Sequence, residues 1–123
     1  MKAFRAMALI AVLAAGPVYA DCTYPTAPAK LPDGATATLD EMLAGQKTVK
    51  EYDTAIKAYV DCIDKELDQK IASAGDKLKP EQKADMQKVE AQKHNAAIDQ
   101  LQGVADRFNE QVKVFKARTD KKG

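Results

Sequence analysis

The apolar positions of this chain fall into two long helical patterns. In the first, Leu39, Met42, Val49, Ile56, Ile63, Leu67 and Ile71 keep helical spacing, and Met42, Val49, Ile56 and Ile63 step by seven. Thr38-Leu39-Asp40-Glu41 has the form of a capping box, so the helix should begin at Leu39. No proline interrupts the stretch, and Gly75 is a natural stop. The second pattern runs through Met86, Val89, Ala97, Leu101, Val104, Phe108, Val112 and Phe115. Pro80 and Glu81 suit its first turn, where a missing N–H does no harm and an acidic group meets the helix dipole. These patterns predict an all-α fold with helices over about 39–74 and 80–118. Gly45 and Gly103 are the weak points, at about 1 kcal/mol each relative to alanine. A break at either would give a three-helix bundle instead.

Two long helices with a short connection pack antiparallel. Folding about residue 77 brings Phe115 near Leu39 and Met42, Phe108 near Val49, and Leu101 near Tyr52 and Ile56. A lone hairpin of this kind covers each helix on one side only and is marginal.

What precedes the helices supplies a third element. Residues 21–37 carry Pro25, Pro28 and Pro32, which forbid helix and favour an extended path, and Pro32-Asp33-Gly34 reads as a turn. The two cysteines are Cys22, in this segment, and Cys62, in the first helical pattern. Cys62 lies about 36 Å along the helix from Thr38. A polyproline path from Thr38 back to Cys22 reaches about 50 Å. The segment can therefore run back beside helix 1 and close a Cys22–Cys62 disulfide. At about 100° per residue Cys62 shares a flank with Tyr59, Tyr52 and Ala55. The segment should cover that flank, with Tyr24 or Pro25 against Tyr59 and Leu31 nearer Val49 and Tyr52. The alternative pairing is two intermolecular bonds in a dimer.

The first twenty residues explain why those thiols should oxidise. Lys2 and Arg5 precede a wholly apolar run at 6–15, then Gly16-Pro17, then Val18-Tyr19-Ala20 with small or tolerated residues at −3 and −1. This is the pattern of a cleaved signal peptide. The run is about half of what a bilayer-spanning helix needs, so no stable membrane insertion is expected. Asp21 before Cys22 argues against lipidation. The expected location is periplasmic or secreted, where disulfides persist. The expected domain is the hairpin at 38–118, with a flexible tail at 119–123.

Charge adds little. The chain has 19 basic and 18 acidic residues, and removing Lys2 and Arg5 leaves 17 against 18. That balance gives no electrostatic case for nucleic acid or an anionic membrane surface. The basic residues from Lys113 to Lys122 complement a helix C-terminus.

The supply of catalytic groups is poor. There is one histidine, no nucleophile elbow, no phosphate-cradling glycine loop and no CxxC. The disulfide uses both thiols, so no enzyme activity and no cofactor are expected. His94 shares the apolar face of helix 2 with Leu101 and Phe108, and Glu90 precedes it by one turn. The pair supplies two weak metal-ligand candidates, whereas zinc wants three or four, and no third stands out. The favoured reading of His94 is a half-exposed histidine at the hairpin seam, hydrogen-bonded to Tyr59 or a backbone carbonyl, with a pH switch as a further alternative. Met42 and Met86 are too few for a copper site. Tyr52 and Tyr59, with Leu101 and Phe108, are the candidate interaction surface.

One local motif points elsewhere. Leu78-Lys79-Pro80-Glu81-Gln82, followed by Lys83 and Met86, resembles the LTxxQ helix start of small periplasmic helical stress chaperones of the Spy/CpxP kind. The resemblance covers about ten residues. Lys79 stands where that motif has threonine, and the second copy that family carries is missing. What the sequence supports best is an exported, non-enzymatic helical interaction or adaptor module with a protein or peptide partner. Homo-oligomerisation is the nearest variant. A periplasmic holdase is the alternative, and a metal-binding protein a more distant one.

Overall fold

The computed structural model describes residues 22–121, so the expected signal peptide and its cleavage site lie outside the described residues. The chain forms two long antiparallel helices. Helix α1 spans Leu39–Ala74 and helix α2 spans Pro80–Asp120. The capping box forms as the sequence predicts. The Thr38 hydroxyl accepts from the Glu41 N–H at 3.2 Å, and the Glu41 carboxylate accepts from the Thr38 N–H at 2.7 Å. Gly75 ends α1 with φ of 50°, a conformation that costs a glycine little, and its N–H returns to the Ile71 carbonyl. A single 3-10 turn over Gly75–Lys77 leads to α2. At the start of α2 the Gln82 side chain accepts from the Lys79 N–H at 3.0 Å, the returning half of a capping box.

Neither helix breaks at its internal glycine. Helix α2 also continues two residues past its expected end. The reason is visible at Arg118, which is held inside the fold. Its guanidinium donates to the carbonyls of Gly34 and Ala37 and lies 5.2 Å from the centroid of the Phe115 ring.

Cys22 and Cys62 form the disulfide, with Cα atoms 5.8 Å apart. From there the N-terminal segment runs back toward the start of α1. Tyr24 meets Tyr59 edge-on, with ring centroids 4.9 Å apart. Ala27 packs against the core around Tyr52, Ile56, Ala97 and Val104. Leu31 joins a second cluster of Ala37, Met42 and Phe108, with Val49 at its edge. Pro32 sits on Gly45, so closely that a Cβ there would fall 2.5 Å from the Pro32 ring. Gly45 is thus a notch for the crossing chain.

The segment then turns. Ala37 and Thr36 donate to the Asp33 carbonyl, and Gly34 N–H donates to the Gln111 side chain at 2.9 Å. A Cβ on Gly34 would lie 2.0 Å from the Gln111 carbonyl oxygen. The segment therefore touches both helices and fills the furrow between them. This differs from the expected position on one flank of α1. The physical reason is that filling the furrow buries apolar surface of three elements at once. Tyr52, expected on a flank, consequently becomes a core residue at 4% exposure.

The buried side chains all lie in one half of the hairpin. Ile56 and Ala97 are fully enclosed and Val104 nearly so. Between Ile63 on α1 and Ala97 on α2, passing through the connection, no described residue is buried. The third layer ends at Cys62, and deep burial ends with it.

Candidate functional site

The residues first considered as an interaction surface are mostly occupied by the chain itself. Tyr52 and Phe108 are buried, and Tyr59 and Leu101 are half-buried against the core. The Tyr52 hydroxyl is enclosed without a hydrogen-bond partner. Burial first, and then the closeness of Tyr52 and Tyr59, push the Tyr24 phenol above its ordinary range.

The open apolar surface lies at the other end. Past the disulfide, α1 and α2 diverge from any covering layer and leave a groove of about 270 Å³. Its apolar lining is Ile63 and Leu67 from α1 with Met86 and Val89 from α2. Helical spacing brings these residues to one side of each helix. Met86 and Leu67 are half-buried, and Val89 is 50% exposed.

The polar groups around the groove are unevenly matched. Glu66 forms an ion pair with Lys70, and its carboxyl is held below the usual range chiefly by that hydrogen bond, with Lys93 contributing. Glu90 is placed differently. Its Oε1 is buried and has no hydrogen-bond partner. Asp64 stands opposite on α1. A hydrogen bond shared with Asp64 raises the Glu90 pKa, burial and the Asp64 charge add to this, Asp68 adds slightly, and His94 opposes it. His94 thus lies at the seam beside Glu90, half-buried, as its one-turn spacing predicts.

Among the described residues no three of His, Cys, Asp and Glu converge to hold a metal ion. Cys22 and Cys62 are consumed by the disulfide. No helix among the described residues is long and apolar enough to cross a membrane. The arrangement can bind by apolar contact and by charge.

Sequence reasoning placed Glu90 and His94 but did not single out Ile63, Leu67, Met86 and Val89 as the open surface. The signal was available in the tail. A segment pinned at Cys62 cannot cover anything nearer the connection.

These features define a class of architecture, a helical hairpin latched by its own N-terminal segment through a disulfide. No known protein family, curated protein or solved structure matches the chain.

Proposed function

We propose that the protein is an exported, non-enzymatic interaction module that receives a protein or peptide partner on the groove of its uncovered half. The observation that carries this reading is the split in coverage. The N-terminal segment fills the furrow over one half, while Leu67, Met86 and Val89 in the other half, with the buried Ile63 at its edge, leave an apolar groove open to solvent. A helix laid in such a groove completes the missing third layer, which is the helix-in-groove mode of recognition. The disulfide and the signal-like N-terminus together support an oxidising compartment, periplasmic or extracellular.

The test uses photo-crosslinking in an extract of the cell envelope. A benzophenone side chain replaces Met86 in the groove or, as control, Lys57 on the exposed outer face. Discrete adducts at position 86 that are missing at position 57 support the reading. Equal adducts at both positions, or none, overturn it. Suppression of the aggregation of a denatured client by stoichiometric protein would instead favour the holdase.

A further inference from the structure

The charges around the groove allow its occupant to be specified further, on the footing that the groove is a docking site. Glu90 lines it, with Oε1 enclosed and unpartnered. Asp64 and Asp68 face Glu90 from α1, and His94 faces it from α2. Of the two lysines that line the groove, Lys70 is paired with Glu66. Asp85, also on the lining, adds another negative group. The lining thus carries Glu66, Asp85 and Glu90 against Lys70 and Lys93, an excess of carboxyls over cations.

We propose that the groove binds an amphipathic helical peptide segment that carries a lysine or arginine within its apolar face. The apolar side chains fill the space between Ile63, Leu67, Met86 and Val89. The cation reaches Glu90 and supplies the donor that its enclosed Oε1 lacks. A charge-assisted hydrogen bond in a partly buried site is among the stronger polar contacts. A purely apolar segment would leave Glu90 Oε1 enclosed without a donor. An acidic one would be repelled by Glu90 and Asp85 on the lining.

The experiment uses the disulfide-intact protein and three synthetic amphipathic helices. Each has a leucine-rich face and a glutamine-rich face, and they differ at one central position of the apolar face, which holds lysine, norleucine or glutamate. Fluorescence anisotropy should show the lysine peptide binding at least about tenfold more tightly than the norleucine peptide. Its affinity should rise as pH increases through the raised pKa of Glu90, where the carboxylate forms. Glu90→Gln should remove the lysine advantage over norleucine, and circular dichroism verifies that the variant folds. If norleucine binds as well as lysine, the cation proposal is wrong while the groove reading stands. If none of the three binds, both are overturned. A stable dimer by ultracentrifugation that excludes the peptides and is broken by Met86→Glu overturns the proposal in favour of a second copy of this chain.

Discussion

The two halves of this hairpin are built from the same two helices and differ in one respect. Around Ile56 and Val104 the packing is three layers deep, because the N-terminal segment lies in the furrow. Around Leu67 and Met86 it is two layers deep, and the same helices leave a groove. A single antiparallel helix contact buries one stripe on each helix and leaves the edges of that stripe wet. The lesson is that coverage, more than helix quality, sets burial here. Both halves carry good helical sequence, yet only the covered one encloses its side chains.

The strongest way to break the contrast is to cut the clamp. The Cys22→Ser/Cys62→Ser double variant should lose about 4 kcal/mol of stability, from the chain entropy of a loop of about 40 residues. Urea unfolding with and without the disulfide measures it. A midpoint unchanged within error would show that the segment is held by packing alone. Truncation compares the halves directly. Ile56→Ala, at a fully enclosed site, should cost about 3 kcal/mol, whereas Leu67→Ala, with water already at its edge, should cost about 1 kcal/mol. Equal losses would mean that the loop half is as well packed as the covered one.

The internal glycines sharpen the same point. Alanine at either site gains about 1 kcal/mol of helix propensity. At Gly103 a Cβ meets nothing within 4 Å, so Gly103→Ala should stabilise by up to about 1 kcal/mol. At Gly45 it meets the rigid Pro32 ring at 2.5 Å and Phe108 at 3.1 Å. Overpacking of that kind costs about 1–3 kcal/mol, so Gly45→Ala should be destabilising on balance. Thermal melts of the two variants should move in opposite directions.

The smallest effect belongs to pH and to the open half. The Glu90 pKa is raised in the folded state above its ordinary 4.5, so the folded protein binds more proton than the unfolded chain there. Its contribution is complete below the ordinary value and is lost as pH rises through the raised one. Glu66 works the other way. Lys70 holds its pKa down, so its contribution is present at neutral pH and lost on acidification. Comparing urea midpoints of wild type and Glu90→Gln from about pH 4.5 to 7 isolates the Glu90 part. The wild type should lose ground to the variant as pH rises across that window. Parallel profiles would remove Glu90 from the account.

Much of this fold was legible from residue patterns. The seven-residue steps from Met42 to Ile63 and from Leu101 to Phe115 placed both helices, and Thr38 and Gly75 placed both ends of α1. The reach of a proline-rich segment, set against the position of Cys62, predicted the clamp and the Tyr24–Tyr59 contact. What the patterns missed was the furrow. Helical wheels describe each helix alone, and the line where a third chain passes between two helices is a property of the pair. Hence Tyr52 read as a flank residue, and Gly45, whose lack of a side chain admits Pro32, read as a weak point. The groove was hidden for the same reason, since Met86 and Val89 look like ordinary core positions until nothing covers them.

Cys22 and Cys62 both precede α2, so the covalent loop encloses α1 and its approach segment alone. A chain emerging N-terminus first can be oxidised before any of α2 has appeared. The second helix lies outside this ring and can leave and return without a bond being broken.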